Sequence, residues 1–380
     1  MSERIKIVFC IPSLVQGGAE RQMLQLIGRL PARFEPVLVL FEDKVYYKDE
    51  LPAGQPKHIL GTKTMTYAAF KQLVAILREE RPVMFHSYLN NANFWGRLAA
   101  LRAKVPVIIS SVRARMMEPQ YLAFERQLAG ASTLVIANSV GIRDELVNLG
   151  KVNPDRVRVV HNFLDLERWR PPTADERRTA RTKLGVGERT RVIVIPARIS
   201  VQKHQAGVLL ALDRMIARGQ IPPDTIVVMP GRKGTGWIDR LVERLAQRPR
   251  LRTLVTMNGA ESDMRSLYWA ADLMVLFSLW EGLPNVALEA SACGLPSLVS
   301  HAANLDRIIE PGVTGWEART FDPRALATTL AEAIATPPDA LRAMGLLGRA
   351  RVAAMFSPER VLDETLAVYD SLLETRPCVA

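Results

Sequence analysis

The chain has 380 residues, 48% hydrophobic, 23% charged and 6% aromatic, a composition that excludes a disordered or fibrous chain and, at this length, points to two hydrophobic cores rather than one. Three cysteines, Cys10, Cys293 and Cys378, without a C-x-x-C pair or zinc-spaced histidines, exclude a disulfide framework and a zinc module and point to a reducing cytoplasm. Of the net charge of +11, +7 falls in residues 1–165, with 22 Lys and Arg against 15 Asp and Glu; this suits a phosphate-bearing substrate or an anionic membrane surface, or else only a solvated basic exterior.

In chain order, short Val- and Ile-rich runs alternate with amphipathic stretches, the pattern of parallel strands and crossover helices. Strands are predicted at Ile5–Ile11, Pro36–Phe41, Val83–Ser87, Val105–Ser110, Leu134–Asn138 and Val157–His161. Helices are predicted at Glu20–Leu30, Tyr67–Glu80, Ala92–Lys104 and Gly141–Leu149. Ile5 to Pro12 is too short to span a membrane and lacks the features of a signal peptide, and no stretch approaches the roughly 18 apolar residues of a span. Residues 1–165 therefore read as one Rossmann-like doubly wound α/β domain. Residues 166–188, with Pro171, Pro172 and many Arg and Thr, read as a linker and charged helix. The alternation restarts at Arg191–Pro196, Thr225–Met229, Thr253–Met257, Asp272–Phe277 and Pro296–Val299, a second Rossmann-like domain over 189–357. A helix and tail, 358–380, could pack on either. Two facing α/β domains would leave a cleft at the carboxyl ends of their strands.

Ala271 to Ser300 carries the most chemistry. An apolar strand runs into a turn, Pro284 suits the first position of a helix of about ten residues, and Gly294 suits the position just past its end. Backbone N–H groups around Leu283, Pro284, Asn285 and Val286 would then form an anion site fit for a diphosphate. Glu289 lies among Val286, Ala287, Leu288, Ala290 and Ala292, so its carboxylate requires partners, and sugar hydroxyls are good ones. Glu281 stands in the turn ahead. The alternative is that Glu289 caps or pairs locally and Glu281 is a surface residue.

Two further segments bear on the same chemistry. Ile11 to Gln22 places Gly17 and Gly18 between a strand and a helix, where glycine lets a backbone approach a ligand or merely turn. No G-x-G-x-x-G follows the strand and no P-loop motif occurs. After the strand from Arg191, Arg198 and Lys203 are permanent cations five residues apart that could clamp a leaving diphosphate, or form an exposed loop pair.

Glu281-Gly282-Leu283-Pro284-Asn285-Val286-Ala287-Leu288-Glu289 resembles the E-x7-E signature of the retaining, two-domain GT-B glycosyltransferases of family 4, and the resemblance runs in order along nearly the whole chain. It implies that Glu289 binds the donor ribose and Glu281 lies near the transferred sugar, and that Gly17 and Gly18 face the donor diphosphate or the acceptor. Arg198 and Lys203 match the family's R-x4-K spacing, although His204 replaces the Gly common after that Lys. Val160 to Asp165 is similar to the family's inter-domain crossing, with Phe163 in place of Gly; Asn162 and Asp165 read there as turn residues. His86 and Arg113 are candidates for the acceptor or sugar side, Arg113 standing where many relatives carry His; a core role for His86 is the alternative. Ser300 to Gly315 keeps the G-x-T-G ending but has Ala303, Asn304 and Arg307 where relatives carry Gly-Gly and Glu, and Arg307 is given no role.

The expectation is an enzyme that transfers a hexose-type sugar from a UDP- or GDP-type nucleotide-sugar donor, with retention, to a glycan or polyprenyl-phosphate-linked acceptor in polysaccharide or glycolipid synthesis. No second carboxylate is evident for a covalent intermediate, so front-face attack is expected, the leaving phosphate taking the acceptor proton. No D-x-D motif is present, and no metal or cofactor is expected; nor is nucleic acid. Arg97, Arg102, Lys104, Arg113 and Arg115 with Trp95, Met116 and Met117 suggest peripheral contact with an anionic membrane at its cytoplasmic face. The alternatives are a non-catalytic nucleotide-sugar-binding subunit or a nucleotide-sugar epimerase of the same fold.

Overall fold

The computed structural model describes residues 4–15, 17–115, 119–232 and 234–375. They divide into two compact units, residues 1–163 with 358–380, and residues 164–357. The first holds a parallel sheet of seven strands: β1 (Ile5–Ile11), β2 (Phe34–Leu40), β3 (Lys57–Ile59), β4 (Met84–Tyr88), β5 (Val107–Val112), β6 (Leu134–Ala137) and β7 (Val157–Val159), in the order β3-β2-β1-β4-β5-β6-β7. The second holds six: β8 (Arg191–Val194), β9 (Thr225–Pro230), β10 (Val255–Gly259), β11 (Leu273–Leu276), β12 (Ser297–Ser300) and β13 (Gly315–Ala318), in the order β10-β9-β8-β11-β12-β13. Both are doubly wound, with the order reversing at β1/β4 and at β8/β11, the places outside whose carboxyl ends such sheets bind ligands.

The central strands are buried on both faces because helices cover both faces; β4, β5, β11 and β12 are buried along their whole length. Tyr67–Glu80 begins where Thr66 caps the Ala69 N–H at 3.2 Å and ends at Arg81 in the left-handed region. The two strands that the periodicity misses are edge strands with little apolar sequence, β3 (KHI) and β13 (GWEA). Among the helices that the sequence reading does not name, Pro119–Leu128 leaves Tyr121 and Phe124 exposed, which blurs its amphipathic period.

Residues 166–188 are counted with the second unit. The helix Ala174–Leu184 starts on a Thr173–Glu176 capping box and docks through arginines: Arg177 donates to the carbonyls of Trp269 and Ala271 and pairs with Asp272 at 2.6 Å, while Arg181 donates to Ala270 O at 2.8 Å. The last helix, Pro358–Glu374, is counted with the first unit, where Tyr369 is fully buried and Asp370 pairs with Arg33 at 2.8 Å. Among the described residues no helix is long and apolar enough to cross a membrane.

One reading of the surface is corrected. Arg97 is not a surface cation: it is 1% exposed, bonds Asn93 O at 2.6 Å and forms a bidentate ion pair with the buried Glu125. A guanidinium at that depth requires a carboxylate partner. Arg115 likewise pairs with Glu145 at 3.2 Å. Met116 and Met117 lie outside the described residues.

Candidate functional site

In the second unit the predicted residues fall after β8 and β11, beside the point where strand order reverses. Lys203 Nζ forms an ion pair with Glu281 Oε1; the two side chains are 15% and 7% exposed. Gln202 holds the same carboxylate from the other oxygen, its Nε2 donating to Glu281 Oε2 at 3.3 Å and to Trp280 O at 2.9 Å. The Leu279 N–H donates to Gln202 O at 2.7 Å, tying the β11 loop to the β8 loop. Glu281 is therefore a fixed acceptor rather than a free carboxylate. Gln202 carries no motif signal beyond its place before Lys203.

The β8 loop is pinned by its own polar groups: Gln205 Nε2 donates to Arg198 O at 2.8 Å, and the Lys203 N–H bonds Ser200 Oγ at 3.3 Å. Gly231 is the second constraint, because a Cβ there would stand 1.9 Å from Ala197 O; only glycine lets the β9 end pass this loop. Arg198 is exposed. His204, the departure from glycine, adopts φ +49°, the left-handed conformation glycine favours, at the start of the helix Gln205–Ala217. Its imidazole packs 6.0 Å from the Phe277 ring and over Gly207, where a Cβ would meet Nε2 at 2.1 Å. Burial lowers the His204 pKa, so the ring is neutral at physiological pH.

The motif helix runs Asn285–Ala292, eight residues rather than about ten, with Pro284 at its cap rather than its first position. The first bond into the helix is Ala287 N–H to Pro284 O at 3.0 Å, so the N–H groups of Asn285 and Val286 lie ahead of any intrahelical acceptor. Leu283 is buried and Asn285 exposed. Gly294, at φ +72°, ends the turn as expected. Glu289 is half-buried beside Tyr268, whose phenol is raised well above its ordinary value by burial and then by the Glu289 charge. Cys293 is pushed up to about 12 by burial and the same carboxylate, and is no thiolate at neutral pH.

The remaining candidates belong to the first unit. Gly17 is the extended cap and Gly18 the first residue of the helix Gly18–Ile27; Gly17 O accepts from Tyr47 Oη at 3.1 Å. A Cβ on Gly17 would stand 2.2 Å from Glu20 Oε2. Glu20 itself, 7% exposed with a pKa raised by burial, is a carboxylate that the motif reading passed over. His86 is 1% exposed and both its ring nitrogens are engaged, Nδ1 with Tyr369 Oη at 2.7 Å and Nε2 with Ser111 Oγ at 2.8 Å; burial lowers its pKa well below the usual range. That is the geometry of a core histidine fastening the last helix. Arg113 keeps partial exposure, stacks 5.0 Å over Tyr88 and donates to Asn162 Oδ1 at 2.8 Å. Asn162 thus holds neighbouring side chains, and Asp165 caps the Arg168 N–H at 2.9 Å. Among the described residues no three His, Cys, Asp or Glu side chains are grouped to hold a metal ion.

Residues 176–347 match the family model "Glycosyl transferases group 1" and residues 16–168 match "Glycosyltransferase Family 4". A D-inositol 3-phosphate glycosyltransferase of Rhodococcus jostii is 31% identical over 338 residues, 83% of this chain and 72% of that one. An alpha-maltose-1-phosphate synthase of Mycolicibacterium smegmatis is 28% identical over 313 residues, 76% of this chain and 79% of that one. Another relative, from Mycolicibacterium vanbaalenii, is spanned over only 54% of its length. Among solved structures, Anabaena HepE in complex with UDP superposes with a TM-score of 0.83 at 20% identity, covering 97% of this chain and all of that one. A sucrose-phosphate synthase from Thermosynechococcus elongatus gives 0.78 at 19%, covering 98% of this chain and all of that one. Two doubly wound parallel sheets of the GT-B type, a Pro-capped helix that follows Glu281 and carries Glu289, and a relative above 30% identity along most of both chains place this protein among the group 1, family 4 glycosyltransferases.

Proposed function

We propose that this glycosyltransferase moves a hexose-type sugar from a UDP- or GDP-type donor to a glycan or lipid-linked glycan, with retention of configuration and without a metal ion. The observation that carries the reading is the Lys203–Glu281–Gln202 cluster beside the start of the helix bearing Glu289. Arg198, Lys203 and the Asn285 and Val286 amides supply positive potential for a diphosphate leaving group, the work a metal would otherwise do. Glu289 is the ribose anchor. Glu281, held by Lys203 and Gln202, orients the sugar as an acceptor of its hydroxyl hydrogen bonds; a carboxylate so engaged is a poor nucleophile, which favours front-face attack with the leaving phosphate taking the acceptor proton. Gly17 and Gly18 are the donor-side candidates of the first unit, and Arg113 is its acceptor-side candidate that keeps an accessible cation. The solved HepE complexes with UDP and UDP-glucose support a uridine donor, and the relatives' names add sugar and inositol phosphates to the acceptors to be tried.

The test has two steps. Thermal stabilisation by UDP, GDP and their sugars identifies the donor, since a ligand at 100 times its dissociation constant adds about 2.7 kcal/mol. Transfer is then followed with an acceptor panel, and the anomeric configuration of the product is read by NMR. Stabilisation by none of these ligands, or turnover by Glu289→Ala equal to wild type, overturns the site.

A further inference from the structure

A charged cavity lies at the opposite end of the second unit's sheet from Lys203 and Glu281. It occupies about 510 Å³ beside the amino ends of β8 and β11 and is lined by Arg177, Arg178, Arg181, Arg189, Arg191 and Arg342. Only two acids, Asp272 and Glu188, share the lining. Arg177 and Arg181 are spent on structure: both reach Asp272, which also accepts the Val192 N–H at 2.8 Å, and their other donors go to backbone carbonyls. One carboxylate thus faces two guanidinium groups.

The other four are available at the rim. Arg178 and Arg342 have ion pairs with Asp175 and Asp339, but those acids are 84% and 91% exposed and lie one helical turn along; such pairs contribute little. Arg191 donates to Thr336 O at 3.1 Å, and Arg189 is exposed. Burial lowers the pKa of Arg177 against the opposing charge of Asp272, and the neighbouring charges of Arg181 and Arg342 add to the lowering. Like charges gathered around a concave space favour an anion that replaces the missing negative charge, and planar guanidinium groups match phosphate oxygens two at a time.

We infer that this arginine-lined cavity is a binding site for a small multiply charged phosphate anion, separate from the donor site. An adjoining apolar pocket of about 190 Å³ shares Arg177, Asp272, Pro338 and Arg342 and is walled by Pro171, Trp269, Leu341 and Leu346. It offers room for a ligand's organic body next to its phosphate end.

Inorganic tripolyphosphate is the probe, titrated calorimetrically into the full chain with UDP present in saturating amount so that the donor site is filled. Wild type binds, and affinity falls as salt rises. Arg189→Gln/Arg342→Gln, both exposed positions, leaves the unfolding temperature of the free protein unchanged and weakens binding about tenfold or more, the scale of one lost charge-assisted hydrogen bond. Arg198→Gln, at the other end of the sheet, binds as wild type does. Undiminished binding by the double variant, loss of binding in Arg198→Gln, or no binding by wild type under UDP each overturns the assignment. Should the double variant lose stability, Arg189→Glu alone gives the same comparison by charge reversal.

Discussion

Replacing Lys203 by Met removes the charge from the Lys203–Glu281 pair while keeping most of the apolar stem. Glu281, 7% exposed, then stays buried with Gln202 as its nearest remaining donor. Removing one partner of a buried pair costs about 3–5 kcal/mol, and the lower end applies here because Gln202 stays and Lys203 is 15% exposed. For a unit of this size about 3 kcal/mol is a drop of roughly 6–12 °C in unfolding temperature. Lys203→Met/Glu281→Gln removes the uncompensated charge and should recover most of that loss, leaving about 1 kcal/mol. Thermal and urea unfolding of the four proteins of this cycle, at one pH and one salt concentration, measure the coupling directly. A Lys203→Met protein within about 0.5 kcal/mol of wild type, or a double variant as unstable as the sum of the singles, refutes the reasoning. The consequence for enzymology is direct: lost transfer in Lys203→Met alone would mix catalysis with a weakened loop, so Arg198 is the cleaner probe of the diphosphate clamp.

Arg198→Gln is exposed and should unfold as wild type does while kcat falls by about 10²-fold or more; unchanged kcat removes Arg198 from the reaction. Transfer should persist after dialysis against a chelator, measured as initial rate with and without added Mg²⁺ or Mn²⁺. Gly207→Ala should be destabilising because its Cβ meets His204 Nε2 at 2.1 Å, and His204→Gly, which also relaxes the left-handed backbone, should rescue it; additive effects in the cycle would contradict the contact. Glu20 has a raised folded-state pKa, so its carboxyl favours the fold below the unfolded carboxylate range and that contribution is lost as pH rises through the folded value. Glu20→Gln should therefore be more stable than wild type at pH 7, with the difference shrinking towards pH 4 in urea melts.

Much of this protein is determined by its sequence alone. A parallel strand buried on both faces appears as a mostly apolar run and a helix packed on one face as an amphipathic period, so Ile5–Ile11 and the helices Tyr67–Glu80 and Pro358–Glu374 could be read to the residue. Pro284 and Gly294 bracket the motif helix because a missing N–H and a left-handed φ are local properties of single residues. What only the tertiary structure decided concerns pairing over long sequence separations. No periodicity reveals that Arg97 is buried on Glu125, that His86 fastens Tyr369 from the far end of the chain, or that the last helix is counted with the first unit. The same holds for the site: Glu281 and Lys203 could each be named from a motif, but their ion pair, with Gln202 on the second oxygen, turns two candidates into one oriented group. Charge and hydrogen bonding act through space, over a few ångströms, and only the folded chain says which side chains are that close.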